Sequence, residues 1–142
     1  MTVNINKLFL AFLLILGGLL PVFGISVAEY RKQMSEISSD LTSAFYDIEE
    51  FDRADDLAYQ KENFDDVRGR LAKPQKVQLS AGEMEVDHQW LLAKIKEYEA
   101  EPFESQRRND LSAEILDSLN TLDSKLREIQ AAEESKRTKD ED

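Results

Sequence analysis

Apolar residues at helical spacing dominate the chain from residue 27 to residue 51. The steps between successive apolar positions alternate between three and four, which keeps the side chains on one face of a helix. Repetition every seven residues is typical of a coiled coil or a helical hairpin. The positions are Val27, Tyr30, Met34, Ile37, Leu41, Ala44, Ile48 and Phe51. The sequence therefore predicts a long helix across this segment.

The apolar pattern weakens after this helix and then returns. Residues 53–63 offer little apolar area, and the helical spacing resumes at Phe64, Val67 and Leu71. Either one helix continues through a weak middle, or the helix breaks near residues 55–60. Pro74 ends it in both cases, because a proline ring disfavours helical geometry at the preceding residue.

The segment after Pro74 changes to a period of two. Val77 and Leu79 alternate with polar residues, a turn containing Gly82 follows, and Met84 and Val86 alternate again. This pattern is typical of a β-hairpin. Since a lone two-stranded hairpin is marginal in water, we expect a hairpin or extended insert at about residues 76–87 that leans on a helix.

Two further helices are predicted beyond the hairpin. Asp87 can cap a helix from residue 88 to about 101, and Pro102 marks the following break. The apolar side of this helix contains Trp90, Leu91, Ile95 and Tyr98. The last helix has apolar positions at Leu111, Ile115, Leu119, Leu122, Leu126 and Ile129. Residues 133–142 contain no strong hydrophobe, and we expect a disordered charged tail there.

These elements indicate a mainly α fold. The helices can form a bundle within one chain, with the hairpin as a short β insert. Alternatively, the first and last helices form an elongated helical hairpin that pairs with a second copy of the chain.

The N-terminal segment is typical of an export signal. Residues 8–28 carry no charge, and Lys7 precedes them. A cationic start, an apolar middle and small residues at positions −3 and −1 describe a secretory signal peptide. Cleavage after Ala28 places Ser26 at −3, and cleavage after Ser26 is the alternative. The segment is also long enough to remain as a membrane anchor; a buried core helix is the third reading.

Charge and composition exclude several classes of function. The chain of 142 residues has 29 acidic and 18 basic residues, a net charge of −11. This argues against nucleic-acid binding, which rests on clustered Lys and Arg. The absence of cysteine excludes disulfides and thiolate chemistry. Leu, Ile, Val and Phe make up only about a fifth of the chain beyond residue 28, which favours an elongated helical structure over a thick core.

Metal sites are weakly supported by the sequence. His88 follows Glu85 by three positions, but carboxylate-bridged di-iron sites need two Glu-x-x-His motifs and further glutamates. The acidic stretch Asp47, Glu49, Glu50, Asp52, Asp55 and Asp56 lacks the glycine of an EF-hand loop. We therefore expect no metal site and no cofactor, and interpret the stretch as a solvated face.

The motifs of common enzymes are also missing. The sequence has no serine-centred elbow, no phosphate-binding glycine loop and no nucleophilic cysteine. A carboxylate pair of the glycosidase type needs an apolar pocket that so few hydrophobes can hardly build. We expect no catalytic residues. Trp90, the single tryptophan, is interpreted as a structural anchor between the hairpin and the helices.

Two stretches carry a resemblance to known proteins. One is Ala28-Glu29-Tyr30-Arg31, and the other is Val77 to Leu91, centred on Gly82-Glu83-Met84-Glu85-Val86-Asp87-His88-Gln89-Trp90-Leu91. They are similar to the exported N-terminal region of uncharacterised bacterial membrane proteins, in which further membrane helices and a C-terminal domain linked to transglutaminase-like genes follow. The chain has no second apolar segment of that kind. The resemblance implies a stand-alone envelope relative and transfers no catalytic residues.

The sequence thus predicts a non-enzymatic, exported protein of the bacterial periplasm or cell envelope. Residues 1–28 are the predicted signal peptide or inner-membrane anchor. Residues 29–132 form the predicted helical domain, and residues 133–142 the tail. We expect it to act by helix–helix association with a protein partner or a second copy, without nucleic acid, and with membrane contact only through residues 8–28 if they are retained. The interaction stripe comprises Met34, Ile37, Leu41, Phe45, Ile48, Leu111, Ile115, Leu119, Leu122 and Leu126. The alternatives are a periplasmic ligand or cation carrier with an acidic face, or a membrane-tethered accessory subunit.

Overall fold

A computed structural model describes residues 13–15, 24–46, 53–103 and 105–141. In chain order the elements are β1 (Leu13–Ile15), β2 (Ile25–Ser26), α1 (Val27–Tyr46), α2 (Arg53–Leu71), β3 (Gln75–Leu79), β4 (Gly82–Val86), α3 (Gln89–Ala100) and α4 (Gln106–Glu141). The fold is a helical bundle with a small β-sheet. The prediction of a mainly α bundle with a β insert is confirmed.

Helices α1 and α2 form an antiparallel pair. The Gln60 side-chain amide donates to the carbonyl of Ala44 near one end of the pair. Near the other end, Arg70 contacts the carboxylates of Asp40 and Glu36. Helix α1 ends at Tyr46 and α2 begins at Arg53, while residues 47–52 lie outside the described residues.

Residues 55–60, where the apolar pattern is weak, belong to α2. The alternative of one continuous helix is wrong, because α1 ends at Tyr46 and α2, which begins at Arg53, runs antiparallel to it. The chain thus forms two helices, as the other alternative predicted, but α2 begins before residues 55–60. The pattern is weak because a polar residue, Gln60, occupies a core position: it is only 3% exposed and its amide is hydrogen-bonded. Apolar spacing alone does not identify a buried polar residue as part of the core.

The predicted hairpin is strands β3 and β4, joined by a two-residue turn. Its inner face, with Val77, Met84 and Val86, is buried against the helices. This packing stabilises a hairpin that is marginal alone. Strand β2 adds to β3 in parallel and β1 adds to β4 in antiparallel orientation, so the sheet order is β1-β4-β3-β2.

Helices α3 and α4 form a second antiparallel pair. Lys94 contacts Glu114, and Arg107 lies 3.9 Å from Glu97. Helix α3 begins at Gln89, one residue later than predicted, and its N-cap is His88, which makes no side-chain capping hydrogen bond. The carboxylate of Asp87, one residue before this N-cap, accepts the backbone N–H of Gln89 at 2.9 Å. Pro102 lies between the two helices and outside both.

Helix α4 has 36 residues and is the longest element. At 1.5 Å per residue it measures about 54 Å, against about 30 Å for α1. It continues through Glu141, across the segment for which the sequence predicts a disordered tail. The side chains of residues 134–139 are exposed, whereas Glu133 accepts hydrogen bonds from the backbone N–H and hydroxyl of Ser80.

Candidate functional site

The predicted interaction stripes form the interior of the bundle. Residues of the first stripe are at most 8% exposed, and those of the second at most 4%. Helices α1 and α4 pack directly on one another, so the two stripes meet within one chain. The residues concerned are Met34, Ile37, Leu41 and Phe45 on α1, and Leu111, Ile115, Leu119, Leu122 and Leu126 on α4. Ile48 lies outside the described residues.

Polar contacts close the edge of this α1–α4 interface. Arg31 on α1 donates from Nε to the Asp123 carboxylate at 2.8 Å and from Nη1 to the Gln130 side chain at 3.4 Å. A dimer formed along the same stripes would have to open these contacts and expose the core.

Two large hydrophobic side chains are exposed in the described part of the chain, and both lie at one end of the bundle. Tyr46 is 61% exposed at the end of α1, and Tyr59 on α2 is 47% exposed. The Gln60–Ala44 hydrogen bond places both tyrosines at the α1–α2 end. We call this surface the tyrosine end. Sequence reasoning missed it, although Tyr46 is an aromatic residue that falls between the stripe positions Phe45 and Ile48.

A buried polar network lies next to the tyrosine end. Arg108 at the start of α4 is 8% exposed, and its Nη2 donates to Gln60 Oε1 at 2.8 Å. The Gln60 amide donates to Ala44 and, at 3.0 Å, to the Tyr98 hydroxyl. The network therefore joins all four helices where α1 and α3 end and α4 begins.

The C-terminal end of α3 and two aromatic rings stabilise the Arg108 charge. Its Nη1 donates to the carbonyl of Glu101 at 3.2 Å, at the negative end of the α3 dipole. Its guanidinium carbon lies 4.4 Å from the centre of the Tyr98 ring and 5.4 Å from that of Phe103. Such cation–π geometry stabilises a partly desolvated guanidinium. These contacts link the end of α3 to the start of α4 next to the tyrosine end.

The opposite end of the bundle contains the predicted cleavage positions. Val27 is 5% exposed, and Ser26 accepts the backbone N–H of Glu29 at 3.1 Å, which makes it the N-cap of α1. Ala28 is exposed in the first turn of α1. Most of the predicted leader lies outside the described residues. Its residues 13–15 form β1, and the choice between signal peptide and anchor stays a prediction.

A cleft of about 380 Å³ opens beside this N-cap. The first turn of α1, strand β3 and the C-terminal part of α4 line it, through Ser26, Ala28, Gln78, Gln130, Lys136 and Arg137 among others. The Ser80–Glu133 hydrogen bonds link two of the elements that line the cleft. Because the lining includes Glu133 and Glu134 as well as the two cations, the cleft has no strong preference for one sign of charge.

His88 is fully buried and hydrogen-bonded to Tyr30, with 2.6 Å between Nε2 and the phenol oxygen. Burial lowers the pKa of His88 to about 4, although the nearby Asp87 carboxylate acts in the opposite direction. Burial also raises the pKa of Tyr30 above its ordinary value. Both groups are therefore neutral at pH 7, and the pair acts as a polar contact within the core.

The described residues hold no group of three His, Asp or Glu side chains that could bind a metal ion. Glu85 lies on β4, before α3 begins, so Glu85 and His88 do not form a helical motif. Asp55 and Asp56 lie in the first turn of α2, where carboxylates favour the helix dipole. The rest of the acidic stretch (Asp47, Glu49, Glu50 and Asp52) lies outside the described residues, and the cation-carrier hypothesis stays a prediction.

Trp90, in the first turn of α3, is partly buried and packs against the core. This position suits the structural role predicted for it. In the part of the chain that the structure describes, no helix combines the length and the hydrophobicity needed to cross a membrane.

Comparison of the chain with protein-family models, curated proteins and solved structures finds no match. The resemblance to exported regions of bacterial membrane proteins stays a prediction. The function has to be inferred from the chemistry of the two ends of the bundle.

Proposed function

We propose that this chain is a non-enzymatic, exported protein of the bacterial cell envelope that binds a protein partner at its tyrosine end. The observation that carries the proposal is the exposure of Tyr46 and Tyr59, whereas the described residues of the apolar stripes are buried within the bundle. Tyrosine is enriched among the residues that dominate binding energy at protein interfaces. The export address rests on the uncharged leader and Lys7.

The buried polar network beside the tyrosine end supports this proposal. The Gln60–Arg108 network fixes α1, α2 and α4 directly beside the exposed rings. A pre-organised surface loses less conformational entropy on binding than a flexible one. The partner is a different protein rather than a second copy, because the stripes that would form a symmetric coiled coil are already buried.

Site-specific photocrosslinking in cells tests the proposed surface. A photoreactive phenylalanine analogue replaces Tyr46 or Tyr59, and the control variant carries it at Ala113, an exposed position on α4. We expect an adduct of one defined mass from both tyrosine positions and none from Ala113. An adduct of twice the chain mass identifies self-association and contradicts the choice of partner. Equal labelling from all three positions contradicts the surface.

A reporter fused after residue 142 tests the address. Alkaline phosphatase folds only outside the reducing cytoplasm, because disulfides form in oxidising compartments. We expect an active fusion. Activity of a cytosolic reporter alone would contradict the export proposal.

A further inference from the structure

Tyr59 lies on an acidic part of the α2 surface. On a helix, the residues three and four positions away lie on the same face as a given side chain. Around Tyr59 these positions hold three acids and one amide: Asp55, Asp56, Glu62 and Asn63. Asp55 and Glu62 are exposed, like the Tyr59 ring between them. We call these two residues the flanking acids.

The cations of α2 whose side chains are described do not neutralise this charge. Lys61 is two residues from Tyr59, and side chains at that spacing do not face each other on a helix. Arg68 and Arg70 contact other carboxylates, on α1, α2 and α3. Among the described residues, the flanking acids form no ion pair.

Electrostatics within the chain account for only one of the flanking acids. Asp55 is in the first turn of α2, where the positive end of the helix dipole favours a carboxylate. Glu62 lies in the middle of the helix, and the dipole effect fades within the first turn. The Glu62 carboxylate therefore lies beside an exposed aromatic ring without a role in the stability of the helix.

The surroundings of Tyr46 also favour a positive charge. Tyr46 is the last residue of α1, and the last turn of this helix contains no basic residue. The carbonyl groups at the C-terminal end of a helix form the negative end of its dipole, which attracts cations. Both exposed rings of the tyrosine end therefore lie where a cation is stabilised.

From these surroundings we infer that the partner at the tyrosine end is a basic protein segment, which places an arginine or lysine side chain on the Tyr59 ring between the flanking acids. A cation over an aromatic face gains cation–π attraction, and the carboxylates on either side add charge pairing. The inference rests on the proposed function and names the chemistry of its partner. The net charge of −11 also attracts a basic segment at longer range.

Other partners fit this surface less well. An apolar segment would desolvate the flanking acids without supplying a cation, which is costly. An acidic segment would place like charges against each other. A second copy of the chain carries the same acids, so a symmetric contact through Tyr59 would also be repulsive. A basic segment avoids all three costs.

Charge reversal beside Tyr59 tests the inference in cells. With the photoreactive analogue at position 46, Glu62→Lys puts a cation where the partner's cation is expected. We expect the yield of the crosslink to fall about tenfold. Glu128→Lys is the matched control, because it makes the same change at an exposed position within α4, about 30 Å along the helix from Arg108. It should leave the yield within about twofold.

The outcomes of this experiment separate the inference from the proposed function. An undiminished crosslink in Glu62→Lys overturns the inference and leaves partner binding at the tyrosine end standing. Equal losses in Glu62→Lys and Glu128→Lys indicate attraction by overall charge alone and also overturn it. No crosslink from position 46 or 59 of the otherwise unchanged chain overturns the proposed function and the inference together. Both glutamates are exposed, so the midpoints of thermal unfolding should stay within about 2 °C.

A defined peptide tests the contact with the ring. The probe is the blocked peptide Arg-Ala-Ala-Arg, added to the full chain, with Glu-Ala-Ala-Glu as the control peptide. We expect only the arginine peptide to shift the NMR signals of the Tyr59 ring, and Glu62→Lys to abolish the shift.

Two substitutions of Tyr59 separate the aromatic ring from simple apolar contact. Tyr59→Phe keeps an aromatic face, whereas Tyr59→Leu removes it and should weaken binding of the arginine peptide about two- to fivefold relative to Tyr59→Phe. Equal affinities of the two variants would overturn the inference. Shifts of equal size beside Glu62 and Glu128 in the unchanged protein would overturn it as well.

Discussion

The phenol of Tyr30 lies 2.6 Å from Nε2 of His88, and both side chains are fully buried although 58 positions separate them in the chain. This hydrogen bond joins the first helix to the segment between the hairpin and α3. It gives the single histidine a structural contact in the core. A neutral imidazole can form one hydrogen bond with the phenol. An imidazolium in this position would be a buried charge, which is energetically unfavourable.

Acidification should therefore destabilise the protein through His88. The pKa of the folded state is about 4, below the ordinary value of 6.5. Between these values the unfolded chain binds a proton that the folded chain does not, so the free energy of unfolding falls as the pH falls from about 6.5 to 4. The loss amounts to about 3 kcal/mol at most. Urea unfolding at a series of pH values measures it.

The variant His88→Gln is the control for this pH dependence. It removes the imidazole and keeps a polar side chain that can reach toward Tyr30. Because both proteins share the other titratable groups, the difference between their stabilities isolates His88. We expect that difference to shrink as the pH falls from 7 to 4; two parallel curves would show that His88 is protonated equally in both states.

Replacement of Arg108 should destabilise the tyrosine end. Arg108→Ala leaves the Gln60 oxygen and the Glu101 carbonyl without their donor and removes the cation between two aromatic rings. We expect a loss of about 3 kcal/mol in the free energy of unfolding. Arg108→Lys keeps the charge but not the planar fork, and should recover less than half of the loss.

Arg127→Ala is the matched control for the Arg108 variants. Arg127 lies on the same helix, is 65% exposed and pairs with Asp123 at 3.1 Å. Exposed ion pairs contribute little, so its loss should stay below about 1 kcal/mol. Similar losses for Arg127→Ala and Arg108→Ala, measured by urea unfolding, would contradict the importance of the buried network.

The two glycines Gly24 and Gly69 should respond to alanine with opposite signs. At Gly24 the new Cβ would collide with the Lys76 backbone oxygen, so the variant should be destabilised by about 1–3 kcal/mol. At Gly69, within α2, a Cβ meets nothing within 4 Å, so alanine should stabilise the helix by about 0.5–1 kcal/mol. Thermal unfolding of both variants decides the signs. A neutral Gly24→Ala would mean that β2 does not pack on β3 as described.

Substitutions in the buried stripe should reduce stability, whereas substitutions at the tyrosine end should reduce partner binding and leave stability nearly unchanged. Leu41 is fully buried, and Leu41→Ala should cost about 2–5 kcal/mol through the cavity it leaves. Tyr59 is 47% exposed, and Tyr59→Ala should change stability by less than about 0.5 kcal/mol. Urea unfolding measures these two changes in stability. Photocrosslinking from position 46 in the Tyr59→Ala variant measures partner binding, and we expect the crosslink to be lost. An undiminished crosslink would contradict a binding surface shared by the two tyrosines.

The apolar spacing was sufficient to predict most of the helical framework and the hairpin. Leu41 and Leu122 belong to regular patterns, and each is buried where its pattern places it. Helix α2 was harder to predict, because Gln60 is buried by virtue of hydrogen bonds to groups far away in the chain. A pattern of apolar residues contains no signal for such a position.

The candidate surface was less predictable than the fold. The sequence pattern of the two stripes is equally compatible with a dimer and with packing within one chain. The hydrophobic effect is not directional, so an apolar face does not specify which other apolar face it packs on. Tyr46 and Tyr59 became recognisable as a surface only once α1 and α2 were packed and every other large apolar side chain in the described residues had been covered to a greater extent.

By itself, the sequence determined the periodicity of the helices, the turn between β3 and β4, the acidic surface and the uncharged leader, because these follow from the order of neighbouring residues. Only the tertiary structure decided that the stripes bury one another, that His88 contacts Tyr30, that Arg108 lies between two rings, and that Ser26 and Val27 belong to the domain. Each of these depends on contacts between residues distant along the chain, and their energy exists only when the backbone brings those residues together.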